Sequence, residues 1–237
     1  MSKLSYKKIL LKASGTLLVR EAGFGISSAA LAEIAGEVKK AQDHKLQIAI
    51  EIGGGNLYRF RNADKGINRV TADQAGMMAS IMNAIHLRDA LQSEGLEVLI
   101  HSSYYLPELL PRYDMKEVRD AYDAGKIVIF AAGTGKPYFT TDTGAALHAV
   151  AIGAEVIIKA TDVDGVYDSD PDENVGAKRY DKLTFAEAIE KKLAVMDKTA
   201  FELCQQNNLP IIVFNGTKDN FLDSLIKNKA EGTLVTN

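Results

Sequence analysis

The chain alternates short apolar runs with longer segments whose apolar residues recur every three or four positions. The runs at Lys8–Lys12, Gln47–Ile52, Glu97–Ser102, Ile127–Ala131, Glu155–Ala160, Ile211–Asn215 and Thr233–Thr236 read as strands, since each is brief and apolar. Between most of them the period changes to that of a helix. Ser27 to His44 places Leu31, Ile34, Ala35, Val38 and Ala41 on one face, with Ser27 or Ser28 as the N-cap. Asp73 to Ser93 repeats Met78, Ile81, Met82, Ile85 and Leu91, with Asp73 opening the helix. Shorter helices are expected over Met115 to Ala124 and Thr143 to Ile152. Thr184 and Glu187 form a capping box at the start of Thr184 to Lys191, and Asp197 to Asn207 and Asp219 to Asn228 complete the series.

This alternation predicts an α/β fold, a three-layer αβα sandwich around a mainly parallel β-sheet. Ligands of such sheets bind beyond the carboxyl ends of the strands. No repeat, low-complexity tract or Pro/Gly/Ser linker divides the chain, so residues 1–237 read as a single domain.

Glycine turns follow three of the expected strands, at Lys12-Ala13-Ser14-Gly15-Thr16, Ile52-Gly53-Gly54-Gly55-Asn56 and Ala132-Gly133-Thr134-Gly135. The last leads through Lys136-Pro137-Tyr138-Phe139-Thr140-Thr141-Asp142 into a helix. Glycine lets the backbone approach a ligand closely, and the first N–H groups of a helix face an anion. Each turn alone is equally at home as a tight connection, but the set points to more than one phosphate. A Walker loop is excluded, because Phe130 stands where its first glycine would be and Pro137 follows Lys136. The spaced glycines of a dinucleotide fingerprint fail at Tyr58.

Composition removes several classes of function. Hydrophobic residues make up 46% and charged residues 25%, as in ordinary globular proteins. A net charge of -3 leaves no footprint for nucleic acid or an anionic membrane. No apolar run approaches the ~18 residues of a membrane span, and the N-terminus has no signal-peptide core. The single cysteine, Cys204, fits a reducing cytoplasm and reads as a core thiol. His44, His86, His101 and His148 lack metal-type spacing; His86 and His148 read as surface or interface residues on helices. The aspartate-rich stretch Val163 to Tyr180 reads as a long ligand-contacting loop rather than a linker, with a turn at Asp164-Gly165 followed by possible strand residues Val166 and Tyr167.

The chain resembles the bacterial-type uridylate (UMP) kinases of the amino acid kinase superfamily. The resemblance is carried by seven blocks in family order over essentially the whole length. They are Lys12 to Gly15, Gly23 to Ile26, Ile52 to Arg59, Asn68 to Asp73, Ala132 to Asp142, Lys159 to Tyr167, and Val195 to Asp197.

The resemblance implies transfer of a phosphoryl group from Mg²⁺-ATP to UMP, giving UDP and ADP, in pyrimidine nucleotide biosynthesis. It implies catalytic roles for Lys12, Asp142 and Asp197. On the ATP side it implies Lys12, Ala13, Ser14, Gly15, Gly55, Arg59, Thr161, Tyr167 and Asp170. On the UMP side it implies Gly54, Asp73 and the run Thr134, Gly135, Lys136, Pro137, Tyr138, Phe139, Thr140 and Thr141. Asp142 and Asp197 match acidic residues that hold the Mg²⁺ nucleotide or orient Lys12, with the Mg²⁺ carried mainly by the nucleotide phosphates. The family also assembles as hexamers, with GTP as activator and UTP as inhibitor. The methionine-rich helix Met77 to Leu87 reads equally as an interface or as a central core helix, and residues 19–22 lie where regulation is associated.

The residues themselves suit this chemistry. Phosphoryl transfer needs in-line positioning and neutralised charge more than covalent help. A strand-end lysine such as Lys12 supplies a point charge, and the Asp73 carboxylate accepts from ribose hydroxyls or caps a helix. Two positions depart from the family. Lys136 stands where asparagine is usual and only donates, which bears on pyrimidine selectivity unless a backbone group discriminates. Thr16 stands where an acidic residue is usual, which bears on Mg²⁺ or ATP affinity. An acyl-phosphate-forming kinase of the same superfamily would share Lys12 and the ATP side but not the Asp73 block. A catalytically dead nucleotide sensor would have no need of Lys12, Asp142 and Asp197 together.

Overall fold

The computed structural model describes residues 6–19, 24–58, 66–171, 173–193, 195–218, 221–227 and 232–237. The strands are β1 (Lys8–Ala13), β2 (Gln47–Ile52), β3 (Val98–Ser102), β4 (Ile127–Ala131), β5 (Val156–Thr161), β6 (Val166–Tyr167), β7 (Arg179–Tyr180), β8 (Lys182–Thr184), β9 (Ile211–Asn215) and β10 (Gly232–Thr236). The helices are α1 (Ser28–Asp43), α2 (Arg69–Ser93), α3 (Met115–Asp123), α4 (Thr141–Ile152), α5 (Phe185–Glu190), α6 (Lys198–Gln206) and α7 (Phe221–Ile226). A 3₁₀ turn, Gly15–Leu18, follows β1.

Eight strands form one sheet in the order β3-β4-β2-β1-β5-β9-β10-β8. Every neighbouring pair is parallel except β9 with β10. The period-two alternation of each strand divides the core into two layers. Ile9, Leu11, Ile48, Ile50, Ile129 and Ile158 pack with apolar residues of α1, α2 and α7. Leu10, Ala49, Val128, Phe130 and Ile157 pack on the opposite face with residues of α3, α4, α5 and α6. Helices therefore cover both faces, as the sequence pattern requires, and removing one buried Leu or Ile side chain would cost about 2–5 kcal/mol.

The second face carries the unusual feature. Register sets Lys12 of β1 beside Glu51 of β2 and Lys159 of β5. Glu51 in turn lies beside Phe130 of β4, and Phe130 beside His101 of β3. A row that begins apolar at β4 thus becomes ionisable under α4.

Local chemistry moves several boundaries. α2 begins at Arg69, not at Asp73, because the Asn68 side chain accepts from the Val70 N–H at 2.8 Å and caps the helix. Asp73 is therefore one turn inside and does not cap. α4 starts at Thr141, where the Thr140 hydroxyl accepts from Asp142 and Thr143 N–H groups. The stretch expected as a loop over 163–180 contains the antiparallel pair β6–β7, tied down where Val166 N–H donates to Thr233 Oγ1 at 2.8 Å. Both expected limits of the last helix, Asp219 and Asn228, lie outside the described residues, as do Arg59 and residues 20–23. Among the described residues no helix is long and apolar enough to cross a membrane.

Candidate active site

The three glycine turns meet at the carboxyl ends of β1, β2 and β4. Gly53 N–H donates to Ala13 O at 3.1 Å, joining the first two. A side chain at Gly15 would fall 2.8 Å from Gly55 N, and one at Gly54 would fall 2.3 Å from Gly76 O of α2. Glycine is required here because backbone meets backbone. The second turn is held from below by a reciprocal amide pair. Asn56 Nδ2 donates to Asn83 Oδ1 at 3.0 Å, and Asn83 Nδ2 donates to Asn56 Oδ1 and to Gly53 O, both at 2.7 Å. Ser80 of α2 reaches the third turn, accepting from Ala132 N–H at 2.8 Å.

Together they bound a cleft of about 240 Å³ lined by Lys12, Ser14, Gly15, Gly54, Gly55, Asp73, Thr134, Phe139, Thr140 and Thr141, with Gly53 and Gly133. Ala13 is buried behind it. Thr16 does not line it. Its hydroxyl donates to Ser14 Oγ at 2.8 Å and so orients Ser14 instead.

A second cavity of about 510 Å³ lies beyond β5, lined by Lys159, Thr161, Tyr167 and Asp170 among others. Tyr167 is half-buried and lines this cavity. Between the cavities stands Asp142, at the N-terminus of α4. One carboxylate oxygen ion-pairs with Lys12 Nζ at 3.0 Å and the other with Lys159 Nζ at 2.8 Å. Burial by itself would raise the Asp142 carboxyl, but the two ammonium groups outweigh it and hold it below the ordinary carboxylate range. Burial lowers the Lys159 ammonium, with Asp142 opposing and Lys12 adding to the shift. Lys159 also donates to Val195 O.

Asp197 caps α6, accepting from Ala200 N–H at 2.9 Å. The same carboxylate accepts from Thr140 Oγ1 at 2.5 Å and from Thr143 Oγ1 at 2.9 Å. Asp197 thus ties the start of α4 to the start of α6. The sequence singled out Asp197 and Thr140 but missed Thr143 and Lys159. Both lie inside the quoted motif neighbourhoods, and the repeat of inward positions along α4 and β5 was the available signal.

On the acceptor side, Arg69 Nε donates to both Asp73 oxygens at 2.8 Å, and Tyr138 N–H donates to Asp73 Oδ2 at 2.8 Å. This joins α2 to the loop before α4. Tyr138 holds a positive φ of 70°, an uncommon conformation for a side-chain-bearing residue. Lys136 is exposed, its N–H donating to Thr134 Oγ1 at 3.2 Å. Gly135, Lys136, Pro137 and Tyr138 stand outside the residues that bound the cleft, while Phe139 lies on its edge, 46% exposed. Among the described residues no cluster of three or more His, Cys, Asp or Glu could hold a metal ion.

His148 is not the surface or interface residue expected. It is buried, and its Nδ1 lies 2.7 Å from Glu51 Oε2 beneath α4.

The amino acid kinase family model matches residues 7–215. A UMP kinase structure from Ureaplasma parvum is 35% identical, with a TM-score of 0.92 and coverage of 98% of this chain and 99% of that one. A UMP kinase from Bacillus anthracis is also 35% identical, with a TM-score of 0.93 and coverage of 98% and 96%. A uridylate kinase from Archaeoglobus fulgidus is 28% identical, with a TM-score of 0.72 and coverage of 96% and 99%. The parallel sheet, the converging glycine turns and these likenesses over nearly the full length agree, and the chain belongs to the amino acid kinase family.

Proposed function

We propose that the chain is a UMP kinase. An oxygen of the UMP phosphate attacks the γ-phosphorus of ATP, a new P–O bond forms, and the bond to the β-phosphate bridging oxygen breaks to leave ADP and UDP. The observation that carries the reading is the Lys12–Asp142–Lys159 bridge between two cavities. A fixed pair of cations at such a junction suits charge that moves from one phosphate to another.

In this reading Lys12 sits over the transferring phosphoryl, and Ser14, Gly15 and Gly55 cradle ATP phosphates. The second cavity takes adenosine through Thr161, Tyr167 and Asp170. Gly54 and the N-terminus of α4 hold the UMP phosphate, and Asp73 holds its ribose. Asp142 orients both lysines and Asp197 fixes the Thr140 hydroxyl; neither serves as a base, because the nucleophile is already an ionised phosphate oxygen. Mg²⁺ enters with ATP as substrate. The oxygens of Asp142 and Asp197 already face lysines, hydroxyls and an amide, which suits a cation carried by phosphate oxygens. The proposal extends to a cytoplasmic homohexamer activated by GTP and inhibited by UTP.

The test is ADP release with Mg²⁺-ATP and UMP, CMP, dUMP, N-acetylglutamate, aspartate or carbamate in parallel. Turnover confined to UMP is the expected result. Turnover with a carboxylate or carbamate would move the chain to another activity of its family. Nucleotide binding without turnover would make it a sensor.

A further inference from the structure

Behind the proposed site lies an ionisable pair that phosphoryl transfer does not use. Glu51 is wholly buried on β2, one strand from Lys12 and in direct register with it. Its Oε2 lies 2.7 Å from His148 Nδ1. Its Oε1 has no hydrogen-bond partner among the described residues and rests against Gly144, where a side chain would come within 3.0 Å. The His148 ring is fixed by stacking on Phe130, with centroids 4.1 Å apart and planes at 7°, and by an edge contact with His101 at 6.2 Å.

Two charged groups act on this carboxyl besides His148, Lys12 from β1 and Asp142 from the first turn of α4. Lys159 of β5 pairs with Asp142 rather than with Glu51. His101 closes the far side on β3. Deprived of His148, a buried carboxyl would take another partner. As an anion it would accept from Lys12; as an acid it would donate to Asp142. Either contact competes with the 3.0 Å Lys12–Asp142 pair.

We propose that His148 is a positioning residue that occupies the Glu51 carboxyl and so keeps Lys12 with Asp142 and available to the transferring phosphoryl. This rests on the role given to Lys12 above. It makes an asymmetric prediction. Glu51 is a group to be restrained, so losing it is harmless; losing its restraint is not. A pair that merely braced α4 against the sheet would suffer equally from loss of either member.

The experiment is steady-state turnover of UMP and Mg²⁺-ATP by the full chain and four variants, His148→Leu, Glu51→Val, the two combined, and Lys12→Ala, with folding checked by circular dichroism. His148→Leu should lower kcat by about tenfold or more, the size expected for disturbing a contact to a charged group, with both KM values within about threefold. Glu51→Val should keep kcat within about threefold of the parent, because it removes the carboxyl that would draw on Lys12 or Asp142, and so should the double variant, because replacing both members of a buried polar pair by apolar groups is often nearly neutral. Glu51→Val falling as far as His148→Leu, a double variant no better than His148→Leu, or parental kcat in His148→Leu would each overturn the proposal. If His148→Leu does not fold, Glu51→Val and the double variant decide it by the same limits. Parental kcat in Lys12→Ala would instead remove the Lys12 assignment on which both readings stand.

Discussion

Lys12 is the residue on which the proposed chemistry depends most. Its ammonium is pinned to Asp142 at 3.0 Å and lines the cleft bounded by all three glycine turns. Lys12→Ala should lower kcat by ~10²–10³-fold, by analogy with loss of one donor to developing charge. Turnover within about threefold of the parent would remove it from the mechanism. Glu51 gives a second prediction, in stability. Burial raises its carboxyl above the ordinary value of 4.5, against the opposing pull of His148 and Lys12. The folded chain then keeps a proton that the unfolded chain releases, so this contribution is full below about pH 4.5 and is lost as pH rises through the folded value. Glu51→Gln does not titrate, so its stability relative to the parent should rise as pH rises above about 4.5, measured by urea unfolding. A difference that stays flat as pH rises would refute the assignment. Asp142 carries the opposite sign, its contribution being lost on acidification below the ordinary 3.8. Cys204 is buried, and burial, with Asp197 and Asp142 adding, pushes its thiol up to about 12. Native protein should resist a thiol reagent at neutral pH and react only when unfolded; prompt labelling of the folded chain would contradict this.

Elements bring these residues together through close backbone approach. Gly54 lies where α2 crosses the second glycine turn, and a methyl group there would sit 2.3 Å from Gly76 O and 2.8 Å from Ser80 N. Both neighbours are backbone, so neither can rotate away. Gly54→Ala should cost about 1–3 kcal/mol or more and push α2, with Asp73, away from the cleft. Unfolding midpoint and the KM for UMP should worsen together; an unchanged midpoint would show that α2 yields freely. Element boundaries followed local chemistry closely where a cap was involved. Thr184 with Glu187 and Ser27 are caps in the sequence and in the structure, and Asp197, the expected first residue of α6, caps it. α2 was misplaced at its start because two candidate caps, Asn68 and Asp73, stand one turn apart. Asn68 takes the cap through the Val70 N–H, while Asp73 is engaged by Arg69 one turn before it and by Tyr138 from far along the chain. β7 and β8 escaped because strands of two or three residues have no measurable period, whereas Val166 and Tyr167 of β6 already read as possible strand residues after the turn at Asp164-Gly165.

At the scale of the whole molecule, α2 keeps a methionine face that the chain's own core does not cover. Met77 is buried, whereas Met78 is 41% and Met82 50% exposed. In the proposed assembly this face meets a second copy. Replacing Met78 and Met82 with lysine should lower the mass measured by light scattering while leaving the circular dichroism spectrum unchanged. An unchanged mass would move the interface elsewhere. Hydrophobic periodicity by itself determined the order of the seven longer strands and of the helices and the two covered faces of the sheet, and composition marked the glycine turns at strand ends. These follow from local backbone preference and from which side of each element must leave water. Only the tertiary structure decided which strands lie side by side. The order β4-β2-β1-β5 puts Glu51, Lys12 and Lys159 in one row, and α4 lays Asp142 and His148 across it. Lys159 and His148 could not be read as partners of Asp142 and Glu51 from spacing, because ion pairs in a closed interior depend on distances between elements that are remote in sequence.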